Sequence, residues 1–155
     1  MQGRVKGIYI SPEAEAPIQS VPEARLEPGR GIVGDRYYLE KGTFSEQLKG
    51  SRDYEVTLIE SEQITYFNQA AGFAIDDGAL RRNIVTQGID LNAMVGQRLQ
   101  VGEVMLEGIR LCEPCAHIAK LVAKEVLSEM LHRAGLRAMI ISGGTVRVAD
   151  PVRPV

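Results

Sequence analysis

The sequence predicts a mostly β fold: an antiparallel or mixed β-barrel with two or three short helices. Three observations point there. Seven or more short runs rich in β-branched and aromatic residues are separated by turn residues. These runs follow one another through short turns rather than crossover helices, which argues against a doubly wound sheet. The helical patterns are few and brief. The 155 residues suit a single domain over 1–155, long enough to bury a sizeable core.

"GRVKGIYIS" (3–11) alternates and reads as a strand. Residues 12–37 are rich in proline and glycine, so they form loops and short strands rather than helix. "LEKGTFSEQLKGSRD" (39–53) is polar and glycine-interrupted, a surface loop. "YEVTLIE" (54–60) is a strand. "SEQITYFNQAAG" (61–72) is a helix that Ser61 can cap and Gly72 can end, with Ile64, Phe67 and Ala71 on one face. "RRNIVTQG" (81–88) is a short strand and "LNAMVG" (91–96) one helical turn. Residues 97–111 read as a hairpin about a Val-Gly-Glu turn. Over 115–134, Ile118, Leu121, Val122, Val126, Leu127, Met130 and Leu131 fit one or two amphipathic helices ended by Gly135. Residues 137–149 read as a closing hairpin about Gly143-Gly144.

Composition excludes several classes of function. Aromatic residues make up 5% and Trp is absent, so a base-stacking platform is not expected. The net charge of −2 offers no basic footprint for nucleic acid. "MQGRVKGIYI" lacks the apolar core of a signal peptide, and no apolar run is long enough to span a bilayer. The expected location is the cytoplasm, with no membrane partner. Cysteines there are reduced and chemically available rather than disulfide-bonded.

"RLCEPCAHIAKL" (110–121) holds both cysteines and one of the two histidines. The pair can be a metal clamp, a redox pair, a sulfur nucleophile or two buried apolar side chains. Cys115 follows Pro114 and opens a helix, where backbone N–H groups favour a thiolate; Cys112 ends a strand. Structural zinc wants four ligands at characteristic spacing. Only one Cys-x-x-Cys is present, with His117 two residues beyond and His132 remote, so zinc is disfavoured. A thioredoxin-like pair wants a βαβ context that the preceding hairpin does not give. His117 is close enough to act as base or donor beside Cys115. "GRGIVGDRYY" (29–38) lets backbone approach a ligand and brings Arg30, Asp35 and Arg36, but it is neither a Walker loop nor a dinucleotide fingerprint. Arg81, Arg82 and Asn83 begin a strand. Arginine forks recognise phosphate or carboxylate, although adjacent arginines are usually solvated.

The run "RRNIVTQGIDLNAMVGQRLQVGEVMLEGIRLCEPC" (81–115) resembles the core of the MOSC domain, the C-terminal domain of molybdenum-cofactor sulfurases. "GIVGDRY" (31–37), "IYISP" (8–12) and "GLRAMIISGGTVRVADPV" (135–152) resemble the family's other motifs, in the same order. The resemblance implies a β-rich barrel that binds or sulfurates the pterin-based molybdenum cofactor, or carries sulfur. It implies that Cys115 is the sulfur carrier or molybdenum ligand, with Cys112 and His117 beside it. It further implies that Arg81, Arg82 and Arg36 face the cofactor phosphate while Asn83 and Asp35 orient polar groups. A cysteine desulfurase or a molybdoenzyme is the implied partner. Alternatives are a non-catalytic cofactor-binding module and a molybdenum-dependent reductase of N-hydroxylated compounds. Pyridoxal phosphate belongs to the desulfurase domain of full-length sulfurases and is not expected in this chain. The N-terminal MOSC-associated barrel of larger molybdenum-binding relatives has no counterpart here, which implies weaker cofactor binding, a partner, or sulfur transfer alone.

Overall fold

The computed structural model describes residues 2–155. Its strands are β1 (Gly3–Ile10), β2 (Gln19–Val21), β3 (Glu23–Glu27), β4 (Gly31–Ile32), β5 (Val56–Glu60), β6 (Ile84–Gln87), β7 (Arg98–Val101), β8 (Val104–Leu111), β9 (Leu136–Ser142), β10 (Gly144–Arg147) and β11 (Pro151–Pro154). Its helices are α1 (Ser61–Ala71), α2 (Ala116–Leu121) and α3 (Val126–Glu129), with a 3-10 turn at Asn92–Met94. The main sheet runs β11-β7-β8-β9-β5-β6-β1-β2, and β11 also pairs with β1, so seven strands close into a barrel and β2 lies outside the ring. A second sheet, β10-β3-β4, stands beside it. Among the described residues no helix is long and apolar enough to cross a membrane.

Strand alternation sorts the apolar side chains into two clusters. Val56, Leu58, Ile84, Leu106, Ala138 and Ile140 are buried in the larger cluster, within the barrel. Ile59 and Val85, one residue out of phase, pack outside it against Ile64, Phe67, Ile118, Val126 and Met130. β5 and β6 are thus covered on both faces, which is why their sequences are apolar at consecutive positions.

The β5–β6 pair is parallel and α1 connects it, whereas every other ladder is antiparallel. The sequence reading had no crossover helix. Parallel neighbours require one, because a tight turn can only reverse direction. The expected closing hairpin is also corrected: β9 pairs with β5 and β8, while β10 pairs with β3. At Gly143 a Cβ would lie 2.6 Å from the Leu26 carbonyl oxygen, so the chain passes too close to β3 for a side chain and changes sheet there. The N-cap of α1 is Glu60 rather than Ser61, and no side chain caps it, while Gly72 ends the helix as expected. The 115–134 pattern breaks into α2 and α3, which leaves Leu121, Leu127 and Leu131 exposed rather than in one apolar face.

β7 and β8 form the expected hairpin, with Val101 opposite Val104. Gly135 leads into β9 with φ 116, and a Cβ there would lie 2.1 Å from the Leu58 carbonyl oxygen. This contact brings the end of the helical segment down onto β5.

Candidate functional site

The cysteine segment, the arginines before β6 and the 37–54 loop converge on one cavity of about 320 Å³ outside the barrel wall. Its floor is a row across three strands: Arg110 of β8 stands opposite Arg137 of β9, which stands opposite Thr57 of β5. Cys112, Glu113, Pro114, Cys115 and His117 form one wall. Tyr37, Thr43, Phe44, Leu48 and Tyr54 form the opposite side. His117 joins the two: its Nε2 lies 3.3 Å from the Thr43 hydroxyl, and its ring meets Phe44 edge-on at 6.4 Å. Its Nδ1 lies 3.9 Å from Glu15.

Five arginines line the cavity (Arg36, Arg81, Arg82, Arg110 and Arg137), against one carboxylate, Glu113. Glu113 is already engaged with the backbone N–H and ring of His132. Arg82 donates to the carbonyls of Ala134, Leu80 and Cys112 at 2.8, 3.1 and 3.2 Å, so it is spent as a brace that fixes the cysteine segment to the barrel. Arg36 donates to Asp35 and to the Arg81 carbonyl. Arg81 and Arg137 differ. Arg81 Nη1 donates to the Ala16 carbonyl and Arg137 Nη1 to the Asp53 carbonyl, but Arg81 Nη2 and Arg137 Nε are buried with no hydrogen-bond partner among the described residues. A buried unpaired donor costs about 1–3 kcal/mol, more for a charged group. Burial holds the Arg81 pKa below its ordinary value, and the adjacent Arg36 charge lowers it further. Arg81 also has φ 63, an uncommon backbone conformation for a non-glycine residue. It is held there by its N–H to the Gly78 carbonyl and by Arg36 on its own carbonyl. The directly opposed Arg110 and Arg137 are a like-charge cross-strand pair, which a sheet alone disfavours. Asp53 offsets this only partly, by pairing with Arg110 at 2.7 Å.

Two sequence candidates have their polar groups engaged by the protein itself. Asp35 is 2% exposed and does not line the cavity; its carboxylate accepts from the Ser11 and Tyr37 backbone N–H groups and from Arg36. The Asn83 amide reaches the cavity edge but is spent on Thr57 and on the Tyr9 carbonyl, which ties β5 to β1. Both position the site rather than face its contents. Cys112 is 2% exposed, while Cys115 is half-buried and caps α2 in an extended conformation.

The sequence profile of the MOSC domain matches residues 45–153. This chain belongs to the MOSC domain family. Among solved structures, the YuaD protein of Bacillus subtilis superposes with a TM-score of 0.83 at 17% identity, covering 98% of this chain and 94% of that one. YiiM from Geobacillus stearothermophilus gives 0.70 at 14% identity, covering 99% and 75%. YiiM from Escherichia coli gives 0.68 at 19% identity, covering 100% and 70%. At these identities the likeness is one of fold. No curated protein matches the chain significantly in sequence.

Within this MOSC domain, sequence reasoning missed Arg110, Arg137 and the 43–48 side of the cavity. A charged residue alternating with apolar ones in a strand reads as solvent-facing. Only the β8–β9–β5 register puts Arg137 under the cysteine segment.

Proposed function

We propose that this MOSC-domain protein is a cytoplasmic sulfur carrier that binds the phosphate-bearing molybdenum cofactor in the arginine-lined cavity, with Cys115 as the working thiol. The observation that carries the reading is the pair of unpartnered guanidinium N–H groups, Arg81 Nη2 and Arg137 Nε, on the cavity that Cys115 also lines. Buried charged donors without acceptors suit an anion that supplies the acceptors, and arginine suits phosphate. The cavity volume falls at the low end of small-molecule sites, about 300–1,000 Å³. The residues present therefore fit the cofactor's anionic end: Arg81 and Arg137 would hold it, Arg36 would add positive charge, and Cys115 would face it. When bound, the cofactor would supply a redox-active molybdenum able to take a sulfur ligand.

In the carrier step, the Cys115 thiolate attacks the outer sulfur of a persulfide on a cysteine desulfurase. The new S–S bond forms on Cys115 and the desulfurase cysteine leaves as thiolate. Sulfur is exchanged with no external oxidant. A molybdoenzyme is the fitting recipient.

The test is mass spectrometry after incubation with a desulfurase and cysteine. One added sulfur on Cys115, absent in Cys115→Ser, is expected. A Cys115→Ser protein that still binds inorganic phosphate but takes no sulfur separates carrying from binding. A wild-type protein that takes no sulfur yet keeps phosphate-directed binding would support the binding-module alternative. Molybdenum in the purified protein, found by elemental analysis, would support the reductase alternative.

A further inference from the structure

Two free thiols line the same cavity, and only one has been given a task. Cys112 is buried at the cavity wall, and Cys115 packs beside it against the outer apolar cluster while still lining the cavity. Its backbone is pinned on both sides: its N–H donates to the Gly135 carbonyl at 2.8 Å and its carbonyl accepts from Arg82 at 3.2 Å. Cys115 lies three residues beyond, past Glu113 and Pro114, at the head of a six-residue helix. One sulfur is fixed and shielded from bulk reagents; the other sits on a short element and is half-open. An enclosed thiol at 2% exposure meets only what enters the cavity or is already attached there.

We propose that Cys112 is the resolving thiol of Cys115: it displaces a group carried on the Cys115 sulfur and closes a Cys112–Cys115 disulfide. With sulfur as the group, this rests on the carrier reading above. Cys112 Sγ then attacks Cys115 Sγ of the persulfide. The Cys112–Cys115 S–S bond forms and the bond to the outer sulfur breaks. The Cys112 proton passes to the outer sulfur, which leaves as hydrosulfide. The two cysteines are oxidised and the sulfane sulfur is reduced, so the electrons balance within the chain. A dithiol reductant then restores both thiols. The protein would thus hand on sulfide, rather than merely hold a persulfide until a recipient attacks it.

The first experiment needs no sulfane-sulfur donor. Full-length protein is treated with the aromatic disulfide dithiobisnitrobenzoate, whose thiolate is coloured on release. The wild type should release two equivalents per chain, retain no adduct and lose two hydrogens by mass. Cys112→Ser and Cys112→Ala, checked for an unchanged thermal midpoint, should release one equivalent and keep an adduct on Cys115. Cys115→Ser should release none on the wild-type timescale. A wild-type protein that keeps an adduct on Cys115, or carries one on each cysteine, overturns the proposal. In a second arm inorganic polysulfide is the donor: the wild type should evolve sulfide and Cys112→Ser should hold a persulfide. A wild type that holds its persulfide overturns the sulfide-releasing role while leaving the carrier reading intact. If neither protein takes sulfur but the first experiment gives the expected pattern, the carrier reading fails and the resolving role stands.

Discussion

Arg82 and Arg137 are guanidiniums in the wall of one cavity, and their hydrogen bonds assign them different tasks. Arg82 satisfies three backbone carbonyls from the barrel and the cysteine segment. Arg82→Leu should therefore cost about 3 kcal/mol of stability or more, as buried acceptors lose their donors. Arg137 carries a buried N–H with no acceptor. Arg137→Leu should lower stability far less, or raise it, while removing the stabilisation that inorganic phosphate gives to the wild type. Thermal midpoints with and without phosphate check both variants; a large loss of stability in Arg137→Leu without phosphate would contradict the assignment. Glu60 gives a pH signature. Burial raises its pKa, and the Leu91 N–H it accepts opposes that only partly. A carboxyl with a raised folded pKa binds its proton more tightly in the native state, so stability is greatest below the unfolded value and falls as pH rises through the folded one. Glu60→Gln keeps an acceptor for Leu91. It should raise the urea midpoint at pH 7 and leave it little changed in acid.

Elements are fixed by contacts that single residues only permit. Gly72 and Gly135 both have positive φ, but a Cβ on Gly72 meets nothing within 4 Å while one on Gly135 meets the Leu58 carbonyl oxygen. Gly72→Ala should cost about 1 kcal/mol, the conformational term alone. Gly135→Ala adds a backbone collision and should cost roughly 2–4 kcal/mol, read from urea midpoints. The sequence was legible where local rules act alone: β1, the β7–β8 hairpin, α1 with its glycine stop, and the mostly β class. It was not legible where pairing is remote. The parallel β5–β6 ladder, the transfer of β10 to β3 and the proline-flanked β11 are set by partners many residues away. The candidate site shows the same division. Cys115, Arg81 and Arg36 stood out as motifs. Arg137 and Arg110 stood out only as charges in strands, because their meaning lies in cross-strand register.

At the scale of the whole molecule, closure depends on β11. This four-residue strand pairs with β1 through Gly3–Val152 and with β7 through Val152–Val101, and it joins two strands that do not otherwise pair. Val152 is fully buried in the barrel cluster, while Val155, three residues on, is 70% exposed. Val152→Asp would place an unpaired carboxylate in the apolar barrel cluster where two ladders meet. A cost of several kcal/mol, roughly 3 or more, follows from desolvation alone. Val155→Asp should stay within about 0.5 kcal/mol of the wild type, as a surface change. The two variants share the same chemistry and the same tail, so their difference isolates closure from any general effect of charge. Hydrogen exchange localises the damage. In Val152→Asp the β1 amides facing β11 and the β7 amides facing β11 should lose protection together, since one strand serves both. The β8–β9–β5 wall that bears the arginine row lies across the barrel from β11 and should keep more of its protection. Loss of protection confined to β11 itself, with β1 and β7 unchanged, would show that the barrel holds its shape without the closing strand.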